Sequence, residues 1–299
     1  MDWDKLKNIS IEGLELLGKG TIGRVYALDG DRVLKVFAEG YNEEKILEEY
    51  NNTKNAYEHG VPCPRVYEMA RAGSCLAIIM ERVEAKTMME PFREAAGIKD
   101  FDRIDFLLDE FAGNAKKIHG IRIEKGMLPD IKEHYLRIID EVLTEKLSDK
   151  RIGLMRKLIG SVKEGDTFIH GDLNFSNVVY EKAAKELRLI DVGAASVGDP
   201  IFDLNILPAL YFLGRINPLV YELFNADPDT LYYTCEGVLK RYYSELPGKE
   251  YDEMRSLYYR SGAVRLLIKL HEDNMLRDMP PAWAEKLSEF MDMADSLPL

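Results

Sequence analysis

The stretch that most limits what this chain can become is His170-Gly171-Asp172-Leu173-Asn174-Phe175-Ser176-Asn177. A short apolar strand candidate, Thr167-Phe168-Ile169, runs into it, and a second, Val178-Val179-Tyr180, leaves it. A third, Leu187-Arg188-Leu189-Ile190, delivers Asp191, followed by Val192 and Gly193. The pattern is H-x-D-x-x-x-x-N, then a hairpin, then an Asp-x-Gly turn. Phosphoryl transfer needs those residue types in that order: one carboxylate facing an acceptor hydroxyl, then an amide oxygen and a second carboxylate to hold magnesium beside the phosphates. Asp172 is therefore the expected catalytic base, and Asn177 and Asp191 the expected metal ligands. Asp and Asn also cap backbone groups in loops, and that plainer role competes for the octet taken alone.

Upstream, Glu15-Leu16-Leu17 and Arg24-Val25-Tyr26-Ala27-Leu28 read as two strands joined by Gly18-Lys19-Gly20-Thr21-Ile22-Gly23. A dinucleotide-binding loop would run its glycines straight into a helix. Here they run into a β-rich segment, so Gly18, Gly20 and Gly23 with Val25 form a flap between strands, able to close over phosphates. The next strand, Arg32-Val33-Leu34-Lys35-Val36-Phe37, turns Lys35 to the same face as Val33 and Phe37. A lysine beneath the flap is costly to desolvate unless it meets anions, which phosphates and a partner carboxylate would supply.

Asn42 to His59 reads as a helix with Asn42 as N-cap and Gly60 just past its end, and Pro62 and Pro64 stop it. It carries Glu43, Glu44, Glu48 and Glu49, and periodicity does not choose among them as the partner of Lys35. Val66-Tyr67-Glu68 and Cys75-Leu76-Ala77-Ile78-Ile79-Met80 complete a five-stranded antiparallel unit. Glu81-Arg82-Val83-Glu84 crosses into a different composition, and from about Met88 the chain is mostly helical. Helices are expected at Phe101 to His119, Ile131 to Lys146, Ile152 to Val162, Asp203 to Gly214, Leu219 to Asn225, Pro228 to Leu246, Tyr251 to Leu276 and Pro281 to Ser296. The expected division is 1–83, a β-rich nucleotide lobe, and 84–299, a helical lobe with the catalytic hairpin and the acceptor site.

The 299 residues suit two lobes better than one core, and 31% charged with 46% hydrophobic residues is a globular balance. A formal net charge of −12 argues against a nucleic-acid partner and mildly favours a cationic substrate. The acidic start, Met1-Asp2-Trp3-Asp4, does not read as a signal peptide, and no apolar run reaches the length of a membrane span. Cys63, Cys75 and Cys235 are scattered, as expected of free thiols in a reducing cytoplasm.

With these motifs in this order, the chain resembles the aminoglycoside phosphotransferase and choline kinase branch of the protein-kinase-like superfamily, from about Leu16 to Leu204. The residues that carry the likeness are the glycine loop with Val25, Lys35, His170-Gly171-Asp172 with Asn177, Ile190-Asp191, and Gly198-Asp199-Pro200 leading to Asp203-Leu204. The resemblance implies an α+β, two-lobed protein-kinase-like fold, with a small antiparallel β lobe and a larger helical lobe. It points to Glu49 as the partner of Lys35, three turns before Gly60-Val61-Pro62, with Glu48 as second choice. It further implies that Leu17, Val25 and Val33 cover an adenine, Val179 and Ile190 lie beneath it, and the backbone at Glu81 to Val83 reads its edge. Asp203 would brace the catalytic loop. ATP and Mg2+ follow as cofactors.

Two departures from the protein kinases matter. The residue before Asp172 is Gly171 rather than arginine, and only a short link joins Gly193 to Asp203, with no Ala-Pro-Glu tripeptide. The peptide platform is therefore absent, and the acceptor is expected to be a small hydroxylated molecule (aminoglycoside-, choline- or sugar-like), cationic rather than anionic. A nucleotide- or metabolite-binding module without turnover is the alternative, disfavoured because Lys35, Asp172, Asn177 and Asp191 are all present. The tyrosines of the C-terminal helices could cage a quaternary amine, and Glu236, Glu272, Asp273 and Asp278 could bind amines; packing and solvated charge are the plainer readings. No motif names the acceptor, the choice of ATP or GTP, or the oligomeric state.

Overall fold

The computed structural model describes residues 3–20, 22–83, 85–181, 186–293 and 297. Met1, Asp2, Thr21 of the glycine loop, Glu84 of the crossing, the hairpin tip at 182–185 and the last turn expected at 294–296 lie outside the described residues.

In chain order, β1 (Leu16–Lys19), β2 (Gly23–Ala27) and β3 (Arg32–Phe37) lead to α1 (Glu43–Glu58), then β4 (Val66–Ala72), β5 (Cys75–Glu81) and the three-residue β6 (Ala85–Thr87). The first sheet has the order β1-β2-β3-β5-β4, antiparallel throughout. Its alternating apolar residues bury both faces. Tyr26, Leu34, Val36, Ala70, Ala77 and Ile79 fill one side. Phe37, Val66, Met69 and Ile78 fill the other with Ile46 of α1. Leu17 is the extra residue of a register shift in β1.

The helical part continues with α2 (Met89–Gly97), α3 (Phe101–Ile118), α4 (Ile131–Glu141) and α5 (Asp149–Ser161). Three short strands follow, β7 (Thr167–Ile169), β8 (Val178–Glu181) and β9 (Glu186–Leu189), then a 3₁₀ turn at Val192–Ala194 and β10 (Ser196–Gly198). The rest is helical: α6 (Ile201–Leu204), α7 (Ile206–Gly214), α8 (Leu219–Phe224), α9 (Pro228–Tyr242), α10 (Gly248–Glu272), α11 (Pro281–Ser288) and α12 (Phe290–Met293). β7 pairs antiparallel with β10, and β6, β8 and β9 form a three-stranded sheet. The α+β class and kinase-like plan expected from the motifs are what the chain adopts. Among the described residues no helix is long and apolar enough to cross a membrane.

Contacts group the chain into two compact units, Met1–Lys86 with Val179–Ala195, and Thr87–Val178 with Ser196–Leu299. The hairpin of β8 and β9 therefore goes with the N-terminal segment, where the expected division at 83 and 84 had put it with the helices. The tie is local. Leu189 N–H donates to the Pro62 carbonyl, and Arg188 makes two hydrogen bonds, 2.8 and 2.9 Å, to the Glu81 carboxylate.

Candidate active site

In the N-terminal unit the site is built on β3 and α1. Val25 on β2, Lys35 on β3 and Ile78 on β5 stand opposite one another in register and so share one sheet face. α1 starts where the Asn42 side chain accepts from the N–H groups of Glu44 and Lys45, and ends before Gly60 at φ +83°. Its buried residues are Ile46, Glu49, Thr53 and Ala56, spaced as one helical stripe. Glu43, Glu44 and Glu48 face outward. Glu49 thus lies within the apolar stripe, and its Oε1 sits 2.5 Å from Lys35 Nζ. The same ammonium donates to Asp191 Oδ1 at 2.9 Å. Burial works against the Lys35 charge, but Glu49 and then Asp191 outweigh it and hold its pKa above the usual lysine value. Burial holds the Glu49 pKa above the usual carboxylate value, and Lys35 offsets this only in part.

Asp191 precedes the 3₁₀ turn in the left-handed region, φ +58°, a conformation that Asp tolerates better than most residues. The turn is fastened to α1, because Asn52 Nδ2 donates to the Gly193 carbonyl at 2.9 Å. A Cβ on Gly193 would stand 2.5 Å from Glu49 Cγ and 3.1 Å from its Cβ. Gly193→Ala should therefore displace Glu49 from Lys35 and destabilise the protein by about 1–3 kcal/mol, as overpacking does. Urea denaturation of the variant checks this, and an unchanged midpoint would contradict it.

The glycines of the flap are not alike. A Cβ on Gly23 would lie 2.4 Å from the Val36 carbonyl oxygen, so strand pairing itself requires glycine there. Among the described residues, a Cβ at Gly18 would meet nothing within 4 Å, and at Gly20 only the Gly23 carbonyl at 3.9 Å. Packing among the described residues leaves those two positions unconstrained. Val179 is buried; Glu81 spends its N–H on the Arg65 carbonyl and its carboxylate on Arg188 and the Arg65 N–H. Val83 has no backbone–backbone hydrogen bond among the described residues.

In the helical unit the octet is a tightly tied loop between β7 and β8. Asp203 of α6 accepts from His170 N–H at 2.8 Å and Gly171 N–H at 2.7 Å, the bracing implied by the resemblance. His119, capping α3, donates from Nε2 to the same carboxylate at 3.0 Å, and its Nδ1 lies 2.9 Å from the Tyr242 hydroxyl. Asp172 N–H donates to His170 Nδ1, 3.2 Å. The Asp172 carbonyl accepts from Asn177 Nδ2 at 2.8 Å and Asn174 Nδ2 at 3.1 Å, and Asn177 Nδ2 also reaches Asp172 Oδ2 at 3.3 Å. One contact was not legible in the sequence. Arg265 of α10 donates from Nη2 to the Gly171 carbonyl at 3.0 Å.

Three of the four acids considered for an amine acceptor, and part of the aromatic set, are engaged within the protein, while Asp278 is exposed. Glu236 holds Arg255 with both oxygens at 3.0 Å and accepts from the Tyr259 hydroxyl. Glu272 pairs with Arg265 and His134, and Asp273 with Lys269. Tyr211, Tyr232 and Tyr259 cluster, but the Arg255 guanidinium already lies 5.3 Å from the Tyr259 ring centre. Among the described residues no group of three or more His, Cys, Asp or Glu side chains suits a metal ion. Magnesium does not need one, since it is held through one or two carboxylates, phosphates and water.

Residues 13–232 match the model of the Phosphotransferase enzyme family. No curated protein matches the chain. Among solved structures, the chain is similar to ADP-bound aminoglycoside phosphotransferase APH(2'')-Ib, with a TM-score of 0.58, 15% identity, and coverage of 95% of this chain and 94% of that one. The gentamicin complex of APH(2'')-IIa gives 0.57 and 16% identity, covering 95% and 93%. An ethanolamine kinase of Plasmodium vivax gives 0.55 and 13% identity, covering 96% and 84%. At these identities the likeness is one of fold.

Proposed function

Because this chain belongs to the phosphotransferase enzyme family, whose model spans its residues 13–232, we propose that it transfers the γ-phosphate of ATP to a hydroxyl of a small molecule. The observation that carries this is the partly buried Lys35 ammonium held between the carboxylates of Glu49 and Asp191. Two carboxylates on one partly buried lysine fix its reach and leave it a donor for phosphate oxygens. Gly18 and Gly20 offer bare backbone to the phosphates, and Val25 and Val179 offer apolar surface to the base. Val83 supplies backbone groups to the adenine edge together with the carbonyl of Glu81.

Asp172 orients the acceptor hydroxyl and takes its proton, while Lys35 grips the α- and β-phosphates. Asn177 and Asp191 are all-oxygen donors that fit magnesium, and Asn177 Nδ2 is committed to Asp172, which leaves Oδ1 for the ion. These two side chains would hold magnesium, which when bound would supply positive charge beside the γ-phosphoryl group. The short link from Gly193 to Asp203 favours a compact acceptor over a peptide. The net charge of −12 favours a cation, a preference that Glu236, Glu272 and Asp273 do not strengthen, since each is paired within the chain. The free thiols of Cys63, Cys75 and Cys235 fit a reducing, cytoplasmic setting.

Calorimetry with Mg·ATP tests the nucleotide half. Asp191→Ala should weaken binding by a factor of about ten or more, since it removes a proposed magnesium ligand and a partner of Lys35. Unchanged affinity in that variant would remove Asp191 from the metal site.

A further inference from the structure

α10 is charged along much of its length, yet Arg265 lies in its most buried stretch, between Val264 and Leu266, and is only 4% exposed. An arginine there is costly unless its charge and its donors are met. Burial opposes the charge, and Glu272 answers it most strongly, so that the guanidinium stays ionised. Glu272 lies seven residues on, which returns to the same helix face after two turns. Its Oε2 is 2.7 Å from Arg265 Nη1, and its Oε1 accepts from His134 Nε2 of α4 at 3.1 Å. The Glu272 carboxyl is held well below its usual range; burial opposes this, and Arg265 outweighs it. The ion pair thus answers the charge, Nε has no hydrogen-bond partner among the described residues, and the second arm of the guanidinium is spent on the Gly171 carbonyl.

That carbonyl belongs to the peptide joining Gly171 to Asp172. The N–H of the same peptide donates to His170 Nδ1, so both polar groups of one peptide plane are held. The preceding peptide is fixed by Asp203 through the Gly171 N–H. Gly171 itself has φ +83°, a conformation that leaves many alternatives open to a glycine unless its neighbours close them. We infer that Arg265 is a positioning residue for the transfer: by holding the Gly171 carbonyl from α10, it sets the plane from which Asp172 projects toward the acceptor hydroxyl. Protein kinases place an arginine next to the base in sequence; here that position is Gly171, and a guanidinium arrives from 94 residues downstream. Glu272 aims the guanidinium, and His134 holds Glu272.

This inference rests on Asp172 acting as the base, so two readouts separate the two ideas. The first is ADP release from Mg·ATP by the full chain, with water and with a panel of small alcohols as acceptors. Arg265→Lys keeps the charge but loses the forked reach, and should lower kcat about 10–100-fold, as a slight misplacement of a reacting group does. KM for Mg·ATP should stay within about twofold, since uniform nucleotide binding is untouched. Glu272→Gln, which keeps an acceptor for Arg265 and is gentler on folding, should lower kcat about 3–10-fold in the same pattern. The second readout is amide hydrogen exchange of Gly171 and Asp172, which needs no turnover. Both amides should exchange at least about tenfold faster in each variant, under conditions where global unfolding is unchanged. Faster exchange with lowered kcat supports the inference. Faster exchange in the variants, with a wild-type protein that releases no ADP with any acceptor, supports the bracing and refutes the kinase function. Unchanged exchange in both variants, or a kcat that stays at the wild-type value in the folded protein, overturns it.

Discussion

Asp172→Ala is expected to lower the rate of ADP release about 10²–10⁴-fold, the range that a positioned general base contributes. Its affinity for Mg·ATP should stay near that of the unaltered protein. The two expectations come from one assignment. In the proposed function Asp172 addresses the acceptor, while the phosphates fall to Lys35 and to the metal ligands Asn177 and Asp191. The loop should survive the change, because its ties run through the Asp172 backbone, which Asn177 and Asn174 hold through the carbonyl and His170 through the N–H. Steady-state turnover and calorimetry on the same preparation check this. An Asp172→Ala protein with an affinity loss equal to that of Asp191→Ala would contradict the division of roles.

Asp203→Ala should carry the largest cost in stability. The Asp203 carboxylate is 1% exposed and serves three donors, the N–H groups of His170 and Gly171 and the His119 ring. Alanine removes the acceptor that all three share. Removing one member of a buried, charge-assisted network costs about 3–5 kcal/mol, more than any surface pair in the chain would. Urea denaturation monitored across both units measures it, with hydrogen exchange at His170 and Gly171 locating the loss. A change below about 1 kcal/mol, the scale of an exposed ion pair, would mean that the loop is braced by something else.

The sequence was most informative where chemistry is local. Lys35 alternates with its strand neighbours, and the octet, the hairpin and the Asp-x-Gly turn lie within 24 consecutive residues. These needed only period-two patterning and residue type. The partner of Lys35 was less accessible, because four glutamates share α1, and the choice depends on which helix face meets the turn at Gly193. The buried stripe of Ile46, Glu49, Thr53 and Ala56 makes that choice. β6 and β10 escaped notice because three residues give no measurable alternation, and their order comes from partners far along the chain.

Residues that act over long sequence separations were hardest to read. Arg265 sits in a segment that looks interrupted by charge, and nothing near it in sequence points to Gly171. Glu236 and Glu272 look like solvated or ligand-binding acids until their arginines are seen beside them. The end of the helix expected from Ile131 to Lys146 is a smaller difference: α4 stops at Glu141, and Leu143–Glu145 forms a separate 3₁₀ turn whose Leu143 is buried. Helical periodicity continues across such a change of axis, so it leaves no mark in the sequence.

The most direct test of small-molecule phosphoryl transfer is ADP release by the purified protein with Mg·ATP. The panel of acceptors is aminoglycosides, choline, ethanolamine, methylthioribose, homoserine, simple sugars and a generic protein. The expected result is stimulated ADP release by at least one compact hydroxylated molecule, with Asp172→Ala abolishing the stimulation. Robust phosphorylation of the protein acceptor, with no response to any small alcohol, would contradict it.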